Sequence, residues 1–312
     1  MFSLFRKSRP ARVKTAKAVA PARATASTFG SNPGGLRMAL HAPPGLGAGR
    51  PLVVVLHGCG QNAERFAAGA GWVAVAAQLK CALILPAQTA ANNPGRCFNW
   101  FRPGDVRRNA GEAMSIRQMI RFAVKKFGAD PRRIFVAGFS AGGGMAAALL
   151  AAYPALFVAG AVVAGMPAGS AATAAGAMLR MRKADTFRSR SALARDVLTA
   201  SQSPPRKRWP RISIWQGQRD RTVDPANAEV LAAQWSELHG FGADPAGDER
   251  IDGARRRIWG RPGKPPAVEL WTLPETGHGF PVHRAGGDPG PWVLEADIGA
   301  AERIAAFWNL KG

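Results

Sequence analysis

The sequence is poor in cysteine and has no long hydrophobic run, and these absences exclude whole classes of protein. Its three cysteines, Cys59, Cys81 and Cys97, are too few for the disulfide framework of a small secreted domain. No stretch approaches the roughly 20 uninterrupted apolar residues of a membrane span, although 47% of the residues are hydrophobic. Because 312 residues can bury one large core, we expect a soluble globular protein. Phosphate-binding loops, dinucleotide fingerprints and clusters of metal ligands are also absent, so we expect no cofactor and no metal.

Acidic residues are scarce as well: 20 aspartates and glutamates stand against 42 lysines and arginines, a formal net charge of +22. Residues 1–28 contain basic residues, no acid and no apolar signal segment, so we predict a flexible basic N-terminal tail. No basic recognition helix or RNA-binding motif occurs, which argues against a nucleic-acid partner. We expect the tail to contact an anionic surface, and we favour the cytoplasm over secretion as the compartment.

Short apolar runs alternate with helical stretches along the rest of the chain. The run at 51–56, PLVVVL, is typical of a strand buried on both faces of a parallel sheet. We predict further strands at 36–41, 81–85, 134–137, 158–163, 212–215 and 268–273, and helices at 63–78, 111–127, 143–152, 225–238 and 298–307. This order predicts an α/β fold, a mostly parallel sheet with helices on both faces. We assign residues 29–312 to one catalytic domain, with 168–208 as a cap-like helical insertion.

The strongest local motif is Gly-x-Ser-x-Gly, formed by Gly138, Ser140 and Gly142 between a buried strand and a helix. A serine on this strand-to-helix turn is exposed for attack on a carbonyl group. The turn is so tight that the positions two before and two after the serine have no room for a side chain. We therefore predict that Ser140 is a nucleophile.

A serine nucleophile needs a base to take its proton and an acid to orient the base. In this kind of fold the order along the chain is serine, acid, histidine. His278 follows a predicted strand and is our candidate base, with His283 in reserve. Asp220 follows the strand at 212–215 and is the favoured acid, with Asp224 as its rival.

The oxyanion of the reaction needs two backbone N–H donors. Ala141, directly after the nucleophile, supplies the first. The strand at 51–56 leads into a turn of small residues, where Cys59 or Gly60 is the candidate second donor. His57 precedes Ser140 in the chain, so we expect it to brace this turn and not to act as the base.

Together these segments resemble the esterase family that includes polyhydroxybutyrate (PHB) depolymerases and related feruloyl and acetylxylan esterases. The matching stretches are LHGCGQ (56–61), RCFNWF (96–101), GE (111–112), DPRRIFVAGFSAGG (130–143) and GQRDRTV (217–223). The resemblance implies an α/β-hydrolase fold, the same triad, an oxyanion donor at Cys59 and a disulfide between Cys59 and Cys97. Two segments depart from the family pattern: Gly279-Phe280-Pro281 after the histidine, and the insertion at 168–208.

We therefore predict a serine carboxylic-ester hydrolase that acts on polyhydroxyalkanoate-type or related short-chain esters, the substrate being either a polymer or a small ester. Trp100, Phe101 and Phe280 are our candidates for lining an apolar substrate site. Peptidases and thioesterases use the same triad and stay open as alternatives. An alternative from another class is a non-catalytic basic protein that coats an anionic surface such as a storage granule.

Overall fold

A computed structural model describes residues 29–202, 208–283 and 290–310. The predicted tail at 1–28 lies outside the described residues, as does 203–207 of the predicted insertion. The core of the fold is a nine-stranded sheet in the order β1-β3-β2-β4-β5-β6-β9-β8-β7. Its strands are β1 (Arg37–His41), β2 (Leu52–Leu56), β3 (Ala82–Ala87), β4 (Ile134–Phe139), β5 (Ala159–Val163), β6 (Arg211–Gly217), β7 (Gly247–Ile251), β8 (Ala254–Trp259) and β9 (Val268–Leu273).

Six neighbouring strands run parallel, in the order β3-β2-β4-β5-β6-β9. Strands β1, β8 and β7 are antiparallel to their neighbours. Strands β2, β4 and β5 are buried at every position, in agreement with their continuous apolar sequences. Because parallel strands end at the same edge of a sheet, the loops after β2, β4, β6 and β9 meet there. This edge holds all the residues predicted to act in catalysis.

Helices cover both faces of the sheet. They are α1 (Ala63–Gly69), α2 (Trp72–Leu79), α3 (Pro103–Val106), α4 (Gly111–Phe127), α5 (Ala141–Ala152), α6 (Ala174–Arg182), α7 (Arg190–Ser201), α8 (Ala226–Leu238) and α9 (Ala300–Phe307). Alternate residues of each strand point to opposite faces: Val54 and Val136 pack with α4, α5 and α8, whereas Val53 and Phe135 pack with α1, α2 and α9. None of the described helices is both long and apolar enough to cross a membrane.

Helix α5 is buried along its whole length. Its small residues allow this close packing: a side chain added at Gly144 would lie 2.7 Å from the ring of Trp100, and one at Gly143 would lie 3.1 Å from the backbone of Gly165. The helix that begins at the nucleophile is therefore held from several sides. We infer that this packing fixes the position of Ser140.

Three predicted elements differ from the structure. The single helix predicted at 63–78 is two helices, α1 and α2, because the chain turns at Gly71 with φ of 83°. The stretch between the helix predicted at 225–238 and the strand predicted at 268–273, where no element was predicted, contains the β7–β8 hairpin. Residues after the predicted base form a small parallel sheet of β10 (Phe280–His283) and β11 (Val293–Ala296), which the sequence did not indicate.

The predicted insertion contains α6 and α7, and the latter packs on α5 and α8. The connection between α6 and α7 is tied to the loop after β6, where Asp224 accepts a hydrogen bond from the Ala184 N–H (2.9 Å). The insertion is thus anchored to the loop that carries both candidate acids.

Candidate active site

Ser140 occupies a strained turn between β4 and α5, with φ of 54° and ψ of −119°. Its N–H donates to the carbonyl oxygen of Val163 (2.9 Å). A side chain at Gly138 would lie 2.0 Å from the Gly142 carbonyl oxygen, and one at Gly142 would lie 2.4 Å from the Leu56 carbonyl oxygen. Both glycines are therefore required by contacts with backbone atoms, which cannot easily move aside. Such a left-handed conformation at a non-glycine residue is characteristic of functional sites.

The structure brings Ser140, His278 and Asp220 into one hydrogen-bonded chain. The distance from His278 Nε2 to Ser140 Oγ is 3.0 Å, and the distance from His278 Nδ1 to Asp220 Oδ2 is 2.8 Å. These contacts favour the tautomer in which Nδ1–H donates to the carboxylate and Nε2 faces the serine hydroxyl. The imidazole ring contacts two aromatic rings, with centroid distances of 5.0 Å to Phe139 and 5.8 Å to Trp292.

The Asp220 carboxylate is buried and fully engaged. Oδ1 accepts from the Thr222 and Val223 N–H groups (both 2.8 Å), and Oδ2 accepts from Gln216 Nε2 (3.0 Å) as well as from His278. Burial alone would raise the pKa of Asp220, but His278 and the two amides outweigh it, so the pKa lies below its usual value. Asp220 is therefore negatively charged at neutral pH, as the orienting acid of a triad must be.

The other candidates lie elsewhere. The Asp224 carboxylate caps backbone N–H groups of Ala184 (2.9 Å) and Ala226 (3.0 Å), so its role is structural. His283 lies at the exposed end of β10. Neither side chain takes part in the hydrogen-bonded chain to Ser140.

Ala141 and Cys59, the predicted oxyanion donors, follow β4 and β2 at this edge of the sheet. Within the described residues neither N–H has a hydrogen-bond acceptor, whereas the Gly60 N–H donates to Gly95 (3.0 Å). The sequence offered Cys59 or Gly60 as the second oxyanion donor. Of these two, Cys59 is the one whose N–H has no acceptor among the described residues. Ala141 is also the first residue of α5, where the helix dipole favours negative charge.

The Cys59 turn is held by a disulfide and by a buried polar network. Cys59 is bonded to Cys97, and Cys81 is a free buried cysteine. His57 is fully buried, with Nδ1 2.7 Å from the Gly58 carbonyl oxygen and Nε2 accepting from the Gln88 N–H (3.1 Å). Burial lowers the pKa of His57, so the ring is neutral and braces the turn.

Glu112 on α4 is the centre of that network, and its role was not foreseen from the sequence. Its Oε1 accepts from Gln88 Nε2 (2.7 Å), Asn92 Nδ2 (3.0 Å) and Asn99 Nδ2 (2.8 Å), and its Oε2 accepts from the Asn99 N–H (3.0 Å). The carboxylate thus fixes residues 88–99, the loop that contains Cys97. The Gly-Glu pair at 111–112, one of the stretches that match the family, was the feature of the sequence that could have indicated this role.

The aromatic residues proposed to line the substrate site have different positions. Phe280 is fully buried and packs edge-on against Phe66 at 5.6 Å, so its side chain belongs to the core and cannot line a site. Trp100 is 7% exposed and packs on α5 behind the nucleophile, while Phe101 is half-buried beside it. Trp292, which the sequence analysis missed, is 51% exposed next to His278. It lies in an irregular stretch rich in Gly and Pro, where no pattern marks a functional side chain.

No group of three or more His, Cys, Asp or Glu side chains suited to a metal ion occurs among the described residues. The arrangement of the described residues is that of nucleophilic catalysis: a serine, an imidazole within hydrogen-bond distance of it, and a buried carboxylate within hydrogen-bond distance of the imidazole.

Comparisons with known proteins identify the family of this chain. Residues 36–259 match the family model described as esterase PHB depolymerase. Poly(3-hydroxyalkanoate) depolymerase C of Paucimonas lemoignei is 36% identical over 293 residues, covering 92% of this chain and 70% of that protein. Feruloyl esterase B of Thermothelomyces thermophilus is 30% identical over 216 residues, covering 68% of this chain and 73% of that protein.

A solved structure has the same fold. The acetyl xylan esterase from Aspergillus awamori superposes with a TM-score of 0.79 at 22% identity, covering 93% of this chain and 99% of that one. This similarity confirms the predicted α/β-hydrolase architecture. The relatives found by sequence are named as depolymerases and esterases, so the chain is a carboxylic ester hydrolase. It belongs to the PHB depolymerase family of esterases.

Proposed function

We propose that this chain hydrolyses carboxylic esters with Ser140 as nucleophile, His278 as general base and acid, and Asp220 as the orienting acid. The observation that carries the proposal is the continuous chain of contacts from Asp220 through His278 to Ser140, at 2.8 and 3.0 Å. These distances lie within the reach needed for proton transfer. The strained serine turn and the buried, charged Asp220 support the same roles.

The reaction proceeds in two balanced steps. His278 Nε2 takes the proton of Ser140 Oγ as this oxygen bonds to the ester carbonyl carbon; the bond to the alcohol oxygen then breaks, and His278 returns the proton to the leaving alcohol. Water next attacks the acyl-enzyme with His278 again as base, and the bond to Ser140 Oγ breaks with the proton going back to the serine. One ester and one water yield one carboxylic acid and one alcohol.

The N–H groups of Cys59 and Ala141 would hold the oxyanion of both tetrahedral intermediates. Removal of one such donor typically costs about 10²–10³ in kcat. Their turn is fixed by the disulfide to Cys97, the His57 ring and the Glu112 network, so little reorganisation is needed when the charge develops.

For the substrate we propose a polyhydroxyalkanoate-type or related short-chain ester. The support is the 36% identity to a poly(3-hydroxyalkanoate) depolymerase over most of the chain. Relatives found by sequence are also named as feruloyl and acetylxylan esterases, so ester hydrolysis is the chemistry that the names have in common.

Hydrolysis of p-nitrophenyl esters from acetate to octanoate tests the proposal. Ser140→Ala should reduce kcat by roughly 10⁴-fold or more, because the nucleophile is lost. Ser191→Ala, at an exposed position of helix α7, is the matched control and should keep wild-type turnover. A folded wild type that is inert across the series, or a Ser140→Ala variant as active as wild type, would refute the assignment.

The alternative of a non-catalytic protein that coats an anionic surface receives no support from the relatives, which are named as hydrolases. We propose that the basic tail of this chain is an accessory to the catalytic domain. Residues 1–28 contain seven of the 42 basic residues and no acid. On this view, the tail adds attachment to an anionic surface and leaves the chemistry at Ser140 unchanged.

A further inference from the structure

A cavity of about 790 Å³ opens beside the turn that follows β2. Its walls are the Cys59–Gly60 turn, the first turns of α1 with Arg65 and Phe66, the loop residue Arg96, and residues 290–293 with Trp292. Its volume lies within the range of about 300–1,000 Å³ that is usual for small-molecule sites.

The cavity borders the proposed reaction centre on two sides. Cys59, on one wall, carries the proposed oxyanion donor. Trp292, on another, has its ring 5.8 Å from the ring of His278. The two walls are joined by a hydrogen bond from Gln61 Nε2 to the Pro291 carbonyl oxygen (2.8 Å). A molecule whose ester group lies at Ser140 can therefore extend into this space.

The described residues that line the cavity carry charge of one sign: they include two guanidinium groups, Arg65 and Arg96, and no carboxylate. Neither side chain forms an ion pair or hydrogen bond within the described residues. By contrast, a second cavity, of about 390 Å³, is lined by the acids Asp252, Glu275, Glu295 and Asp297.

The positive charge of Arg96 reaches the Cys59 turn. Burial lowers the pKa of His57, and the charge of Arg96 contributes to the lowering. A carboxylate bound in this cavity would meet two guanidinium groups, which bind carboxylates through paired N–H donors. The exposed ring of Trp292 adds an apolar face for the carbon chain of the same ligand.

We propose that Arg65 and Arg96 form a carboxylate-binding subsite, which holds the free carboxyl end of a hydroxy-acid oligomer while an ester bond of that oligomer lies at Ser140. This inference rests on the proposed function. Each cleavage of a hydroxy-acid polyester leaves an oligomer with a hydroxyl at one end and a carboxylate at the other. The enzyme would therefore act on such soluble oligomers more efficiently than on capped ones.

The test compares two soluble trimers of 3-hydroxybutyrate, one with a free carboxylate and one capped as the primary amide, which adds no further ester. The measured quantity is the ratio of kcat/KM for the acid to kcat/KM for the amide, in the full chain at low ionic strength. We expect wild type to favour the acid about tenfold, and the double variant R65Q/R96Q to lower the ratio to about one. A general loss of folding affects both substrates equally and leaves the ratio unchanged.

Arg261→Gln is the matched control, because Arg261 is an exposed arginine in the β8–β9 loop at the opposite edge of the sheet. It should keep the wild-type ratio. A ratio of one in wild type, a preference that survives in R65Q/R96Q, or an equal fall in Arg261→Gln would overturn the subsite while leaving the esterase intact. Failure of wild type to cleave either trimer or p-nitrophenyl butyrate would instead overturn the proposed function, and the subsite with it.

Discussion

At the scale of single residues, the environments of Asp220 and Asp224 separate two acids that stand four positions apart in the sequence. Both follow β6, and both accept backbone N–H bonds. Only Asp220 also contacts the imidazole of His278, with 2.8 Å between Oδ2 and Nδ1. The difference arises because Asp224 binds the insertion at Ala184, a contact that the sequence does not reveal.

We predict that Asp220→Asn lowers kcat by roughly 10³–10⁴-fold, because the amide no longer holds the His278 tautomer that faces Ser140. Asp224→Asn is the matched control: it should keep kcat near wild type and lower the melting temperature. Steady-state kinetics on p-nitrophenyl butyrate and thermal melts of both variants measure this. Equal losses of kcat in the two variants would contradict the assignment of Asp220.

At the scale of elements, the loop at 88–99 depends on one buried carboxylate. Glu112 accepts four hydrogen bonds through two oxygens. A glutamine of the same shape has only one accepting oxygen, so its NH₂ group would face the Asn99 N–H, which is also a donor. Burial, the largest effect, raises the pKa of Glu112 to about 7, from an ordinary value of 4.5.

This shift predicts a pH dependence of stability. Because the pKa is raised in the folded state, the contribution of Glu112 is fully present below about 4.5 and is lost as the pH rises through about 7. Between pH 5 and pH 8, the free energy of unfolding of wild type should therefore fall relative to Glu112→Gln, by on the order of 2–3 kcal/mol.

Urea denaturation of both proteins at several pH values measures the difference. Glu302→Gln, which removes an exposed glutamate from α9, serves as the control for the loss of one carboxylate. A difference between wild type and Glu112→Gln that stays constant with pH would show that Glu112 does not titrate in this range.

The elements that the sequence predicted well are those with a strong local pattern. Helix α4 has the predicted bounds, Gly111–Phe127, and ends at Gly128 with φ of 61°; β9 also has its predicted bounds, Val268–Leu273. The β7–β8 hairpin was missed because its strands are mostly exposed and charged, with no apolar alternation. Its turn, Asp252-Gly253, has positive φ at both residues (48° and 76°), and this Asp-Gly pair was the signal overlooked.

In the candidate site, too, the residues with a strong local pattern were predicted and the others were not. The order of serine, acid and histidine along the chain was sufficient to select three side chains that the structure brings together. Trp292 and the Glu112 network depend on loops that meet only after folding. Phe280 was placed in the site because its burial against Phe66 could not be foreseen. Local patterns therefore identified the reacting groups, and long-range packing determined their surroundings.

At the scale of the whole molecule, the disulfide closes a loop of 38 residues that spans α1, α2 and β3. By loop-closure entropy, a cross-link of this length stabilises the folded state by about 4 kcal/mol. Disulfides persist in oxidising compartments and are rare in the cytosol. The bond therefore favours secretion, the second of the two compartments considered from the sequence.

We predict that Cys97→Ser lowers the free energy of unfolding by about 2–4 kcal/mol. Reduction of wild type should cause a similar loss, while the Cys97→Ser variant should not respond to reductant. Urea denaturation with and without reductant measures both effects. Alkylation of denatured, unreduced wild type should label Cys81 alone; three labelled thiols would rule out the bond.

Much of the positive charge is compensated locally. The three consecutive arginines at 255–257 lie on β8, where Arg255 pairs with Asp248, and Arg256 pairs with Glu249 and Glu269. Arg257 contacts Glu229 on α8. The net charge of +22 therefore reflects arginines elsewhere on the surface and in the tail, and this hairpin is not a patch for an anionic partner.

The same hairpin forms one edge of the nine-stranded sheet. Strand β7 is the last of the sheet, and its outer backbone groups could pair with a strand of another molecule. Its consecutive Asp248, Glu249 and Arg250 are exposed, so such pairing would strip water from charged side chains on both faces. Lateral growth of the sheet into aggregates is thereby disfavoured at this edge, and an enzyme with a wide, strongly hydrogen-bonding sheet can stay dispersed.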